Sequence, residues 1–439
     1  MSKYPEEFIA RMRAQLGEEF DSFLQSLETT PPVSIRVNPF KSSPAFANEE
    51  KVKWSDWGYY LKERPVFTLD PLFHAGTYYV QEASSMFVEQ VWKQHIKVDE
   101  PLRVLDMCAA PGGKSTHLLS LLNNKGVLVS NEVIPNRNKI LRENITKWGA
   151  ANYVVTQNEA ADFQKLPSYF DVILVDAPCS GEGLFRKDKD AVNEWSEANV
   201  QMCGTRQRDI LQQLLPALKP GGILIYSTCT YEEEENDKSV EALLQNGCER
   251  LLIDVSFFEG IRSTRHGYQF YPHKIKGEGF FIAALRKTEG EEVQFANAAK
   301  RKTAPAMAVQ YLQQPEDFTV LEKGEKFFAI PAHMAADFGL LTQRLSMRQS
   351  GIFLGELKGK DFLPAHDLAL SIHAKTDLPA VEVDATTALK YLRCETIKAE
   401  TDAKGWCLVR HQGFNLGWIK MLPNRINNYY PKDWRILMR

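Results

Sequence analysis

The sequence has 439 residues, enough for two or three domains with cores of their own. Its composition, 44% hydrophobic and 25% charged, is typical of a soluble globular protein. The formal net charge of −3 excludes a strongly basic chain, although a local basic groove is enough to bind nucleic acid. Apolar runs stay short of the roughly 18 residues of a membrane span, and the first residues lack a signal-peptide core, so we expect a cytoplasmic protein without membrane attachment.

Apolar residues recur at helical spacing over residues 5–28, prolines follow, and an alternating pattern predicts a strand over 33–39. From residue 101, short apolar strands alternate with helices. We predict strands at 102–106, 126–131, 152–156, 171–176 and 223–227, and helices at 114–123, 135–148 and 197–218. This alternation predicts an α/β core of Rossmann-like type, a parallel sheet covered on both faces, with ligands at the carboxyl ends of the strands.

The character of the chain changes after the core. Residues 287–305 are polar and charged, which indicates a linker, and beyond them short strands and glycine-rich turns dominate, with a hairpin at 406–422. We therefore expect four segments: an amino-terminal α/β subdomain at 1–95, the core at 96–287, a linker at 288–310, and a β-rich domain at 311–439.

A glycine-rich loop, LDMCAAPGGKS at 105–115, follows the first core strand. Small residues there let a ligand approach the backbone, and the next helix offers free N–H groups. One interpretation is a phosphate-binding P-loop, but Cys108 stands where that motif needs its first glycine. Another is S-adenosylmethionine binding, which predicts an acidic residue such as Glu132 at the end of the second strand. A tight turn without a ligand is the third.

The sequence has seven cysteines and no Cys-x-x-Cys pair, so we expect free thiols in a reducing compartment and no metal site. Two of them, Cys179 and Cys229, follow neighbouring strands in DAPCSG and STCT, which places both thiols beside the cofactor loop. Free cysteine is commonly a small buried hydrophobe, and we keep that interpretation for Cys203, Cys248, Cys394 and Cys407.

Two thiols suit methylation of cytosine at C5. A thiolate that adds at C6 converts the ring into an enamine, and C5 can then attack an electrophilic methyl group. A carboxyl such as Asp176 can supply the proton or hydrogen bond at N3, and a second thiol can act when the C5 proton leaves. This chemistry leaves open which cysteine attacks.

Together, DMCAAPGGKS, DAPCSGEG and STCT resemble the Sun family of RNA cytosine-5 methyltransferases. The resemblance extends over about residues 30–287 and includes SIRVN at 34–38, YVQEASSM at 79–86 and GFFIA at 279–283. It implies that Cys229 is the nucleophile, that Cys179 assists product release, and that Asp176 lies near the target base. It also implies cofactor contacts from Cys108, Ala109, Ala110, Pro111, Gly112, Gly113, Lys114, Glu132, Arg137 and Asp176, and an adenine contact from either Asn158 or Glu159, unless both belong to a solvated turn.

The stretch at 131–137 and the carboxyl-terminal PNRINNYYPKDWR are similar to the RsmF-like subgroup, which modifies small-subunit ribosomal RNA. This resemblance implies a class I methyltransferase core between an amino-terminal RNA-binding subdomain and a PUA-like domain, with S-adenosyl-L-methionine as cofactor. The implied partner is 16S ribosomal RNA or the 30S subunit, bound by a monomer without a metal. Arg36 and Asn38 would contact RNA through the amino-terminal strand. Arg186 and Lys187 could hold phosphates beside the active site, or belong to a solvated loop.

Two other classes compete with this hypothesis. A P-loop ATPase predicts nucleotide hydrolysis that depends on Lys114, and the missing glycine and the paired cysteines argue against it. A non-catalytic RNA-binding assembly factor predicts that Cys229→Ala leaves function intact.

Overall fold

The computed structural model describes residues 3–295, 305–398 and 403–438. Helix α1 spans Glu6–Leu16 and α2 spans Phe20–Leu27, so the helix predicted over 5–28 is divided in two. The division occurs at Gly17, whose φ of +56° ends α1 and begins a single 3₁₀ turn. Phe8 and Phe23, on the buried faces of the two helices, pack against aromatic residues of the α/β core. The amino-terminal helices are therefore part of that core's packing.

A small antiparallel sheet follows, with strand order β2-β3-β1-β4. The elements of this region are β1 (Val33–Val37), β2 (Glu50–Lys51), β3 (Gly58–Leu61), α3 (Pro71–His74), β4 (Tyr78–Val80) and α4 (Val88–His95). Both edges of β1 are paired, which makes it a central strand of this sheet.

The α/β core is built on a large sheet in which β9-β8-β5-β6-β7 are parallel neighbours. Its elements are β5 (Arg103–Asp106), α5 (Gly113–Leu122), β6 (Val127–Asn131), α6 (Pro135–Trp148), β7 (Tyr153–Thr156), β8 (Phe170–Asp176), α7 (Lys189–Glu194), α8 (Glu197–Leu214), β9 (Leu218–Thr228), α9 (Asp237–Leu244), β10 (Cys248–Leu251), β11 (Arg262–Ser263), β12 (Tyr268–Phe270) and β13 (Phe280–Lys287). Every core strand and helix predicted from the sequence is present. The strand predicted at 223–227 is longer than expected, because β9 already begins at Leu218, beside a register shift against β8.

Beyond residue 305 the chain forms two further four-stranded sheets, β14-β15-β17-β18 and β19-β20-β21-β22. The elements of this part of the chain are α10 (Ala306–Val309), β14 (Phe318–Lys323), β15 (Lys326–Pro331), α11 (Ala335–Arg344), β16 (Met347–Ser350), β17 (Ile352–Lys358), β18 (Asp361–Pro364), α12 (His366–Leu370), β19 (Ala380–Glu382), α13 (Ala385–Leu392), β20 (Gly405–His411), β21 (Phe414–Leu422) and β22 (Arg425–Asn428). The hairpin predicted at 406–422 corresponds to β20 and β21.

Strand β16 departs from the expected separation of domains. It pairs antiparallel with β7 and so extends the core sheet with residues from the predicted carboxyl-terminal domain. The first part of the predicted linker also packs against the core, because Phe295 contacts Tyr169 and Ser168 Oγ donates to the carbonyl of Glu291. Residues 296–304 of that linker lie outside the described residues. Within the described ranges, no helix has the length and hydropathy needed to cross a membrane.

Candidate functional site

Cys179 and Cys229 meet at the carboxyl ends of two adjacent parallel strands. Asp176 ends β8, and its register partner Ser227 lies near the end of β9, so the residues that follow both strands leave the sheet together. The Sγ atoms of Cys179 and Cys229 lie 3.1 Å apart, and the backbone N–H of Cys229 points at the Cys179 sulfur from 3.4 Å. The juxtaposition inferred from strand ends is thus present in the fold.

The two thiols differ in their surroundings. The pKa of Cys179 is raised well above its usual value, mainly by the hydrogen bond with Cys229 and next by burial. This thiol therefore keeps its proton at neutral pH. Cys229 lines a cavity of about 440 Å³ together with Lys114, Asp176 and the 108–111 loop, whereas Cys179 does not line it. Only Cys229 of the pair therefore faces a space that could hold a base.

An ion pair stands beside Cys229. Lys114 Nζ is 2.8 Å from Asp176 Oδ2, and Ser227 Oγ donates to Asp176 Oδ1 at 2.7 Å. Burial alone would lower the pKa of Lys114, but the Asp176 carboxylate more than compensates, and the net direction is a raised pKa. Lys114 is thus a fixed cation close enough to stabilise negative charge on Cys229. A P-loop lysine would instead project along its own loop toward a phosphate.

The glycine-rich loop is held open by its neighbours. Gly112 has φ of +114° and begins α5, a conformation that strains any other residue. Arg137 Nη2 donates to the carbonyl of Ala110 at 2.9 Å, and Asn144 Nδ2 donates to the carbonyl of Pro111 at 2.9 Å. The backbone of this loop, including Ala109 and Gly113, is consequently exposed to the cavity. Arg137 reaches the loop carbonyl from α6, so it supports the loop from outside the cavity lining.

Two buried carboxylates at strand ends each keep one oxygen without a hydrogen-bond partner in the described part of the chain. Asp106 Oδ2 accepts from Ser115 Oγ at 2.7 Å while Oδ1 has none, and burial raises the pKa of Asp106 to about 7. Glu132 Oε1 accepts the N–H of Ile134 at 2.9 Å, while Oε2 accepts no hydrogen bond and lies 3.7 Å from Arg137 Nη1. Such orphaned acceptors fit the hydroxyl and ammonium donors of S-adenosylmethionine.

Asn158 is already engaged. Its Nδ2 donates to Asp162 at 3.0 Å, and its Oδ1 accepts the N–H of Ser346 at 2.9 Å. Glu159 is exposed and caps the following 3₁₀ turn together with Asp162. The amide of Asn158 therefore links β7 to the segment before β16. Neither Asn158 nor Glu159 lines the cavity.

Arg36 and Asn38, which the resemblance implied as RNA contacts, are both completely buried, so neither side chain is exposed to a ligand in this fold. Arg36 stacks on Trp148 and donates to Gln81, Thr116 and the carbonyl of Gly113, which supports the cofactor loop from below. Asn38 Nδ2 donates to the carbonyls of Gly76 and Trp148. The SIRVN segment thus attaches the small sheet to the core.

Arg186 is also mostly buried, with 4% of its side chain exposed, and it forms a 2.9 Å ion pair with Glu278. Phe185 beside it packs against Phe8 and cannot stack on a base. Lys187 is exposed and lines the cavity, so among residues 185–187 it is the one that faces solvent at the site.

Several residues of the cavity were not predicted as site residues from the sequence. Tyr79, Gln81, Glu278 and Phe280 all line the cavity. The motifs at 79–86 and 279–283 were the available signal, but their position beside Cys229 depends on packing of the small sheet against the core.

Three family models match the chain: the 16S rRNA methyltransferase RsmB/F model at residues 94–286, the RsmF N-terminal domain at 4–83, and the methyltransferase RsmF PUA domain at 378–436. The ribosomal RNA small subunit methyltransferase F of Aeromonas salmonicida is 32% identical, over 98% of this chain and 96% of that protein. The Vibrio vulnificus protein of the same name is 31% identical, over 98% and 97%.

Among solved structures, a methyltransferase homolog from Pyrococcus horikoshii is 30% identical with a TM-score of 0.56, over 65% of this chain and 95% of that one. NSun6 from Pyrococcus horikoshii, solved with the S-adenosylmethionine analogue SFG, shares the fold at 22% identity and a TM-score of 0.56, over 66% of this chain and 99% of that one. The PUA match begins only at residue 378, which agrees with two separate sheets beyond the linker. The chain therefore belongs to the RsmF family of S-adenosylmethionine-dependent ribosomal RNA methyltransferases.

Proposed function

We propose that this enzyme methylates C5 of a cytosine in 16S ribosomal RNA through a covalent bond between Cys229 and C6 of the base. The observation that carries the proposal is the pair of thiols 3.1 Å apart, of which only Cys229 lines the cavity beside Lys114 and Asp176. The names of the relatives support 16S ribosomal RNA as the substrate.

The reaction starts when the Cys229 thiolate adds to C6, a step that moves electron density onto N3 and C5 of the ring. The Lys114 ammonium, held by Asp176 at 2.8 Å, stabilises the negative charge on both the thiolate and the ring. The Asp176 carboxylate can accept a hydrogen bond from the exocyclic amino group of cytosine. These contacts position the base so that C5 faces the cofactor site.

Asp106, Glu132 and the 108–113 backbone would hold S-adenosylmethionine, which supplies an electrophilic methyl group to C5. After transfer, the proton at C5 leaves to a solvent base, the C5–C6 double bond forms again, and the bond from C6 to the Cys229 sulfur breaks. Because Cys179 retains its proton, its S–H can donate to that sulfur as it leaves as a thiolate. Cys179 therefore assists release.

Two alanine variants test these roles. Cys229→Ala should abolish methyl transfer to 16S ribosomal RNA, and Cys179→Ala should accumulate a protein–RNA adduct that survives denaturing electrophoresis. Cys203→Ala is the matched control, because this free cysteine lies on α8 away from the cavity lining, and it should behave as the wild type. An adduct that forms in Cys229→Ala instead would reverse the assignment.

The same proposal places the enzyme in the cytoplasm as a monomer acting on ribosomal RNA or the 30S subunit. Bisulfite sequencing of 16S ribosomal RNA from cells that lack the enzyme should show one or more cytosines that become fully convertible. No change at any cytosine would contradict C5 methylation. It would then favour a non-catalytic role in assembly.

A further inference from the structure

A groove continues from the catalytic cavity across the surface of the small sheet. The cavity shares Val80, Gln81, Glu82 and Lys187 with a neighbouring depression of about 650 Å³. That depression shares residues 30–33 and Arg64 with a third, of about 660 Å³. We call this continuous path the flank groove and define it by residues 30–33, 61–64, 186–187 and 275–277. A strand whose base occupies the cavity would have to pass along a path of this kind.

The exposed charges of the flank groove are mainly positive. Lys62 and Arg64 are exposed, and in the described part of the chain no carboxylate lies within ion-pair distance of either. Lys276 is 49% exposed, lies over the ring of Tyr60 and pairs with Glu50, itself 63% exposed, while Lys187 is 3.4 Å from Glu278. The exposed pair of Lys276 with Glu50 contributes little and opens readily, while Lys187 is the more distant of the two cations that share the buried Glu278. Four cations are therefore available to a polyanion.

The acidic side chains of the groove are largely committed elsewhere. Glu82 accepts the backbone N–H groups of Ser84, Ser85 and Glu278, so both oxygens of its carboxylate already have donors within the protein. Glu278 is buried against Arg186. Glu63 is the remaining exposed carboxylate in the lining. This local excess of positive charge contrasts with the net charge of −3 of the whole chain.

The walls of the groove are held together before any ligand binds. Arg186 donates to the carbonyl of Gly277 at 2.7 Å and to Thr29 Oγ1 at 3.2 Å, and it pairs with Glu278 at 2.9 Å. The buried Arg186 guanidinium thus joins Thr29, in the segment after α2, to Gly277, in the segment before β13. Pro31 and Pro32 add a stiff wall. A preformed groove reduces the entropy that a bound strand must lose.

We propose that the flank groove binds the sugar-phosphate backbone of the RNA strand next to the target cytosine, through Lys62, Arg64, Lys187 and Lys276. The proposal rests on the function proposed above, because the strand is the one that delivers its base to Cys229. It assigns the RNA contact to exposed side chains, whereas Arg36 and Asn38 are completely buried.

Charge reversal tests the groove. The double variant Lys62→Glu/Arg64→Glu is compared with Lys97→Glu/Lys125→Glu, a control with the same charge change at exposed lysines before β5 and β6, at the amino ends of the core strands. The probe is unmethylated 16S ribosomal RNA from a strain that lacks the enzyme. Its Kd is measured across salt concentrations, with KM, kcat and the Kd of S-adenosylmethionine measured beside it.

The groove variant should bind this RNA at least tenfold more weakly, and the slope of log Kd against log salt should fall by about 1.4, as expected for two lost phosphate contacts on a single strand. KM for RNA should rise with it, while kcat at saturating RNA and cofactor affinity should stay near the wild type. Lys276→Ala, on the opposite wall, should weaken binding in the same direction.

If the groove variant binds RNA as tightly as the control variant, and the wild-type enzyme forms 5-methylcytosine, the groove proposal is wrong and the proposed function stands. If the wild-type enzyme forms no 5-methylcytosine, the proposed function is wrong. The RNA affinities of the two variants would still show whether the groove binds RNA.

Discussion

At the scale of single residues, Asp106 combines complete burial with an oxygen that has no partner in the described part of the chain. Burial raises the pKa of this carboxyl to about 7 in the folded state, against an ordinary value near 4. The folded protein therefore holds the proton more tightly than the unfolded chain does. Between pH 4 and 7, this group lowers the free energy of unfolding as pH rises, by about 1.4 kcal/mol per pH unit.

Asp106→Asn removes this titration while it keeps an acceptor for Ser115. Without S-adenosylmethionine, the melting temperature of the variant relative to the wild type should be higher at pH 8 than at pH 4. Thermal unfolding at both pH values checks this, and other titrating groups cancel because the two proteins share them. A difference in melting temperature that is the same at pH 4 and pH 8 would contradict it.

At the scale of elements, the segment after β1 closes the carboxyl end of α6. Asn38 Nδ2 donates to Trp148 O at 2.9 Å, and Lys41 Nζ donates to Lys147 O at 2.7 Å, two carbonyls that the helix itself leaves unpaired. These bonds fasten the small sheet to the core sheet. They also account for the complete burial of Asn38.

Asn38→Ala should lower the free energy of unfolding by about 3 kcal/mol, because it leaves two buried carbonyls and one N–H without their partner. The affinity of the folded variant for 16S ribosomal RNA should not change. Urea unfolding and RNA binding measure the two effects, with the exposed Asn246→Ala as the control. A loss of RNA affinity in a protein of normal stability would restore Asn38 as an RNA contact.

At the scale of the whole molecule, the carboxyl-terminal region is continuous with the core. Strand β16 covers the edge of β7, and the N–H of Ser346 holds Asn158 at 2.9 Å. Leu341 of α11 packs in the same apolar cluster as Leu105 of β5. The region after the linker thus contributes to the stability of the cofactor-binding unit.

A chain that ends at residue 295 should therefore melt at least 10 °C lower than the full chain and self-associate, because the edge of β7 loses its partner strand. A chain that ends at residue 377 keeps β16 and should show no more self-association than the full chain. Thermal unfolding and light scattering distinguish the two. A monomeric, equally stable fragment ending at 295 would show that β16 is dispensable to the core.

The order of the core elements and the strand-end positions of Cys179, Cys229 and Glu132 were predictable from the sequence. These features depend on the alternation of apolar strands with helices, which is a property of residues close together in the chain. Parallel strands carry their carboxyl ends to one edge, so the sequence determines that both thiols reach that edge. The glycine loop before α5 belongs to the same local pattern.

Only the tertiary structure decided which charged residues face solvent. Arg36 is buried because Gln81 and Trp148, both distant in sequence, surround it, and Arg186 is buried because Glu278 lies against it. The strand β16 joins the core for the same reason, since its partner β7 is far back in the chain. Sequence motifs and the spacing of apolar residues depend on residues close together in the chain. Burial of a side chain and pairing of a strand depend on residues that are distant in sequence and meet only when the chain folds.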